Sequence, residues 1–175
     1  MKKFDIHQDK LSLFLSKIYD NPINGWDTNK GFILLGSTGI GKTSSCRKFF
    51  SESEMESEKG NGKFNKMYYF DSFDLTRDHI NNASSCDYWL FIDDLGTEPQ
   101  FRNHFGTQES PVLETLLRRA NNMEKYSNSR GKVFATSNKS LEQLNEFYGP
   151  RLYSRLNTLF NVVIVSGELD HRQSH

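Results

Sequence analysis

The chain is short of cysteine, carries no net charge and has no long apolar run, and each shortage removes a class of protein. Only two cysteines occur in 175 residues, Cys46 and Cys86, far apart and in no metal-ligand spacing. Neither a disulfide-stapled scaffold nor a zinc site is therefore expected, and Cys46 should pack as a small apolar residue. Lysine and arginine total 22 and so do aspartate and glutamate, which excludes a globally basic nucleic-acid binder but leaves a local basic patch open. No run approaches the about 20 apolar residues of a membrane span. Met1-Lys2-Lys3-Phe4-Asp5 lacks the apolar stretch of a secretory leader, so no membrane partner and a cytoplasmic location are expected. No internal repeat is found, and the length suits a single domain, 1–175, with a real core.

What the chain does have is a glycine-rich stretch, Gly36-Ser37-Thr38-Gly39-Ile40-Gly41-Lys42-Thr43, between the apolar run Gly31-Phe32-Ile33-Leu34-Leu35 and a helix-compatible segment over 42–50. It matches G-x-x-x-x-G-K-[ST]. Its glycines allow successive N–H groups to turn onto phosphate oxygens, and the helix that begins there, with Ser44 in its first turn, adds free N–H groups and a positive dipole end. Lys42 would reach the β- and γ-phosphates, and the Thr43 hydroxyl would bind Mg²⁺. A triphosphate site follows, because the strand before and the helix after supply the context that the motif requires.

The rest of the chain alternates between two periodicities. Leu11, Phe14, Leu15 and Ile18 form a helical stripe within 7–20, and Asn21-Pro22-Ile23-Asn24-Gly25-Trp26 breaks it. Ile23 or Trp26 either packs in the core or covers a base. Residues 51–62 are acidic and serine-rich and are expected as a mobile surface loop. Strands are expected at Lys66–Phe70, Tyr88–Ile92, Lys132–Thr136 and Leu159–Val165, an irregular stretch at 95–110, and helices opening at Pro111, Ser140 and Pro150. Strands alternating with helices imply an α/β fold, a parallel sheet covered on both faces with ligand loops at the strand carboxyl ends.

Three further groups carry chemistry. Tyr88-Trp89-Leu90-Phe91-Ile92 runs into Asp93 and Asp94. An acid at the end of a strand beside the glycine-rich loop can hold Mg²⁺ opposite Thr43, the Walker B role, assigned here to Asp93. Asp94 can orient or deprotonate an attacking water, or it is an aspartate in a turn ahead of Gly96. Thr136-Ser137-Asn138 ends the following strand, where Asn138, ahead of Thr136 and Ser137, can hydrogen-bond a γ-phosphate or the water, or form an Asx turn before the helix at Ser140. Arg151 and Arg155 stand at i and i+4 on one helix face, either as surface arginines or as a guanidinium delivered to a neighbour's γ-phosphate.

In this order the motifs Gly-Ser-Thr-Gly-Ile-Gly-Lys-Thr (36–43), Phe-Ile-Asp-Asp-Leu-Gly-Thr-Glu (91–98), Ala-Thr-Ser-Asn (135–138) and Arg-Leu-Tyr-Ser-Arg-Leu (151–156) resemble the AAA+ ATPases of the DnaC/IstB group, helicase loaders and transposition helper ATPases. The resemblance implies a P-loop NTPase of three α/β/α layers, with a five-stranded parallel sheet of order 5-1-4-3-2 and no full helical lid. Residues 1–30 would be an N-terminal helix and linker and 31–175 the ATPase core. It also implies ATP with Mg²⁺, a homo-oligomer with Arg151 or Arg155 acting as a finger in trans, single-stranded DNA, and a replicative helicase or transposase as partner. Arg172 would take the place of the group's terminal arginine, although Gly167–His171 departs from the usual pattern. Lys63, Lys66, Arg77, Arg102, His104, Phe105 and Arg118 either line a DNA groove or form a solvated surface. The alternative function is a nucleotide-gated binding or regulatory protein with little turnover, and a small-molecule kinase is disfavoured by the paired acids followed by Thr-Ser-Asn.

Overall fold

Five-residue apolar runs separated by helices fit together as parallel strands with both faces covered, since such strands have no side to turn toward water. The computed structural model describes residues 2–58, 67–84, 88–104, 106–125 and 131–167. Its strands are β1 (Lys3–His7), β2 (Gly31–Leu35), β3 (Met67–Asp71), β4 (Trp89–Asp93), β5 (Arg102–His104), β6 (Thr107–Glu109), β7 (Val133–Ser137) and β8 (Phe160–Ser166). The helices are α1 (Gln8–Lys17), α2 (Lys42–Glu58), the single turn α3 (Ile80–Ala83), α4 (Pro111–Lys125), α5 (Leu141–Tyr148) and α6 (Pro150–Leu159).

Six strands form one parallel sheet in the order β1-β8-β2-β7-β4-β3. Without β1 this is the expected order 5-1-4-3-2. The expected count of five is corrected to six, because Lys3–His7, read as leading into a helix, pairs along β8 from Lys3↔Val162 to His7↔Ser166. Only Phe4 of this strand is fully buried, and its polar neighbours hide the period-two pattern from a sequence reading. The irregular stretch at 95–110 contains the small antiparallel hairpin β5–β6. Likewise α2 continues past Phe50 to Glu58, since serine, glutamate and methionine do not break a helix and no glycine occurs before Gly60; the rest of the expected 51–62 loop lies outside the described residues.

Alternation along each strand sends neighbouring side chains to opposite faces. Phe32, Leu34, Phe91, Phe134 and Val163 meet Leu11 and Leu15 of α1 and Cys46, Phe49 and Phe50 of α2. Ile33, Leu35, Leu90, Ile92, Val133 and Val162 meet Leu116 and Ala120 of α4, Leu144 of α5, and Leu152 and Leu156 of α6. Trp26 is core: its ring lies 5.3 Å from Phe4 and 5.6 Å from Phe14. Ile23 stays exposed beside α1. Among the described residues no helix is long and apolar enough to cross a membrane.

Candidate active site

The carboxyl ends of β2, β4 and β7 lie side by side, and the buried Lys42, Asp93, Thr136 and Ser137 gather there. The loop leaving β2 passes so close to β8 that a Cβ at Gly36 would sit 2.4 Å from the Val165 carbonyl oxygen, and Gly36 N donates to Ser137 O at 3.2 Å. At the other end of the loop Gly41 has φ +81°, a left-handed turn that glycine makes without strain and that starts α2 in the right direction. Ile40 anchors the loop from below, its side chain buried with Leu34 and Val165.

A cleft of about 350 Å³ opens above. Thr38, Gly39 and Gly41 wall it from the loop side, Lys42, Thr43, Ser44 and Arg47 from the start of α2, Asp94 from beyond β4 and Asn138 from beyond β7. Lys42 Nζ donates three hydrogen bonds of 2.7 Å, to Gly36 O, Ser37 O and Asn138 Oδ1. Burial pushes its ammonium below the ordinary lysine range, and the charges of Asp94 and Asp93 oppose that shift. Asn138 also donates from Nδ2 to Asp94 Oδ1 at 3.2 Å, so one amide links the cation to the acid.

The acids are held differently. Asp93 is buried; its Oδ1 accepts from Thr43 Oγ1 at 2.8 Å and from Thr136 Oγ1, and its Oδ2 accepts from Tyr69 OH at 2.9 Å. The Tyr69 oxygen accepts in turn from Arg47 Nη2 at 3.0 Å. Asp94 has φ +52°, a left-handed backbone that a non-glycine residue adopts only where it is pinned. Its N–H donates to Thr136 Oγ1 at 3.0 Å, and its carbonyl accepts from Ser72 at 2.9 Å and Thr97 at 2.8 Å. That turn ends the strand alternation and brings a second carboxylate to the cleft. Burial first, and then the Asp93 charge, raise the Asp94 carboxyl above the usual range, opposed by Lys42 and the Asn138 hydrogen bond. The loop that follows is fixed by buried Glu98, which accepts from Gly96 N at 2.9 Å and from Tyr148 OH on α5.

Thus Lys42, Thr43, Asp93, Asp94 and Asn138, expected at one site from sequence, are brought together. Thr136, a weaker candidate there, instead orders both acids, and Ser137 donates to Leu95 O at 2.6 Å. Arg47 and Tyr69 were not anticipated. Thr43 and Asp93 offer hard oxygen donors at hydrogen-bonding distance, a set that fits Mg²⁺, which takes the remainder of its shell from phosphate and water. No cluster of three or more histidine, cysteine, aspartate or glutamate residues able to hold a metal alone occurs among the described residues.

Arg151 and Arg155 do not line this cleft. Arg151 is exposed beside a hollow bounded by Phe101, Leu113, Leu117 and Arg118, and Arg155 pairs with Glu124 of α4. Of the basic groove residues, Arg77 pairs with Glu109 and Arg118 with Glu114, so neither is a free cation. Lys63, Lys66, Phe105, Arg172 and the side chains of Arg102 and His104 lie outside the described residues.

The family model described as "ATPase family associated with various cellular activities (AAA)" matches residues 32–161. No curated protein matches the chain. In fold it is similar to DnaI, with a TM-score of 0.61 and 18% identity over 91% of this chain and 82% of that one. It is also similar to domain III of the replication initiation protein DnaA from Thermotoga maritima, with a TM-score of 0.62 and 15% identity over 91% of this chain and 62% of that one. AMPPCP-bound DnaA from Aquifex aeolicus gives a TM-score of 0.57 and 15% identity over 94% of this chain and 47% of that one. The chain spans less than two thirds of the length of either DnaA structure, and at these identities the likeness is one of fold.

Proposed function

The chain belongs to the AAA family of ATPases, and on that premise we propose that it binds ATP with Mg²⁺ and hydrolyses it as one subunit of an assembly acting in DNA replication or transposition. The observation that carries the reading is the chain of contacts from Lys42 through Asn138 to Asp94, beside the Thr43–Asp93 pair. In this reading Gly36 to Ser44 cradle the phosphates, and Lys42 exchanges a loop carbonyl for a β- or γ-phosphate oxygen. Thr43 and Asp93 hold Mg²⁺, which neutralises charge on the phosphates. Asp94 takes a proton from water as the water oxygen bonds to the γ-phosphorus and the bond to the β-γ bridging oxygen breaks, with Asn138 reporting the γ-phosphate.

The resemblance to DnaC/IstB ATPases, together with the DnaI-like fold, supports a homo-oligomer, single-stranded DNA and a helicase or transposase as partners. Because Arg151 and Arg155 lie away from their own cleft, one of them completes a neighbour's site as the finger. The test is ATPase rate against protein concentration with and without single-stranded DNA. A rate per subunit that rises with concentration and with DNA, and falls steeply with salt, is expected. Hydrolysis unchanged by both, with monomeric sedimentation, would overturn the reading. The same separation of arginines from the cleft favours a second reading, a nucleotide-gated switch that docks on a partner and turns over slowly; tight ATP binding without DNA stimulation would select it.

A further inference from the structure

Two side chains at the cleft have no part in the roles assigned above. Tyr69 sits on β3, the edge of the sheet, exposed on one side and with its ring 5.1 Å from Phe91 on the other. Arg47 lies one helical turn beyond Thr43, which places it on the same face of α2. Its guanidinium donates to the Tyr69 oxygen at 3.0 Å and stacks 5.5 Å from the ring centroid.

The direction of these bonds follows from their chemistry. An arginine has only donors and an ionised carboxylate only acceptors, while a phenol has a single proton. With Arg47 donating to the phenol oxygen, that proton is committed to Asp93 Oδ2, 2.9 Å away. Thr43 and Thr136 both donate to the other oxygen, Oδ1. Both oxygens of the buried carboxylate are therefore fixed, one from β7 and α2 and the other from β3.

We infer that Tyr69, aligned by Arg47, is a positioning residue that sets the Asp93 carboxylate for Mg²⁺, so that affinity for the metal depends on the edge strand β3. The inference rests on the proposed ATP and Mg²⁺ site. Groups that orient a metal ligand through a hydrogen bond change metal affinity or activity by about 10–100-fold when removed. A pair serving only to tie α2 to β3 would leave the metal dependence alone.

The experiment uses a fluorescent ATP analogue, measuring its affinity in EDTA and then the Mg²⁺ concentration at the midpoint of the metal-induced rise in affinity. Tyr69→Phe removes one oxygen and leaves Asp93 Oδ2 without that donor, so a small drop in melting temperature is expected and binding is compared below the melting onset of the variant. It is expected to leave the EDTA affinity within about 2-fold and to raise the Mg²⁺ midpoint about 10-fold. Arg47→Ala should shift the midpoint the same way by less, and the double variant no further than Tyr69→Phe alone, because both act through one bond. An unchanged midpoint in Tyr69→Phe, or an equal loss with EDTA and with Mg²⁺, overturns the inference while leaving the ATP site standing. Failure of the wild-type protein to bind the analogue at all overturns both.

Discussion

Around the cleft, Lys42, Asp93, Asp94 and Asn138 come from α2 and from the ends of β4 and β7, and each is bonded to a group on another element. On α6 the arginines are placed quite otherwise. Arg151 is exposed, and Arg155 meets Glu124 where the two side chains are 37% and 44% accessible. A surface pair of that kind contributes about 0–1 kcal/mol, so Arg155 can leave it at almost no cost. A buried polar network cannot rearrange so cheaply, because each group that loses its partner stays desolvated. The contrast separates a polar network built into the chain from cations presented outward, which is the division of labour that the proposed site shared between subunits needs.

The contrast breaks most visibly at the arginines. One of Arg151→Ala and Arg155→Ala should lower oligomer ATPase by about 1,000-fold, and mixing that variant with Lys42→Ala subunits should restore part of the activity. If both variants match wild type, the outward cations serve no neighbour. Asp94→Asn sharpens the other half: steady-state hydrolysis should fall by about 300-fold with ATP affinity retained, whereas equal turnover would remove Asp94 from the chemistry. A stability measurement comes third. Phe49 lies 5.6 Å from Phe32 and 5.2 Å from Phe50 under the loop-bearing helix, and Phe49→Ala should cost about 3 kcal/mol in urea unfolding. Arg155→Ala should change the same measurement by less than about 1 kcal/mol.

A small, pH-dependent effect concerns Lys132, whose ammonium lies 4.1 Å from the Tyr19 ring centroid at the edge of the aromatic layer. Burial lowers it from the ordinary 10.5 to about 8, with the Asp27 charge opposing. The folded protein therefore gives up this proton before the unfolded chain does, so unfolding takes up protons between about pH 8 and 10.5. Stability from this group rises with pH through that window. Lys132→Met should flatten the rise and add about 1 kcal/mol near neutral pH, a value discounted for partial exposure. Parallel denaturation curves at about pH 7 and about pH 9.5 check it.

How legible these features were depended on distance along the chain. Lys42 and Thr43 are fixed by glycines within six residues, and Asp93, Asp94 and Asn138 each end an apolar strand, so local pattern sufficed. The roles of Arg47 and Tyr69 depend on a bond between positions 22 residues apart that belong to no motif. A turn at Asp94 was open to a sequence reading, but its left-handed φ was not, because Ser72 and Thr136, remote along the chain, help Thr97 to hold it. β1 escaped because a five-residue edge strand with one buried side chain has little periodicity of its own. The mutual order of the other five strands followed from the resemblance rather than from any single stretch.

The strand order also dictates when the molecule can assemble. Ile33, in the strand that launches the glycine-rich loop, pairs with Ala135 on one side and Val162 on the other. Both partners are synthesised about a hundred residues or more later. Contacts so remote along the chain fold slowly, and a chain emerging from its amino end cannot make them until β8 has appeared. The loop's glycines are thus made well before the strands that hold them in place. A nucleotide bound at this loop would have nothing to grip on a nascent fragment and would protect only the finished sheet.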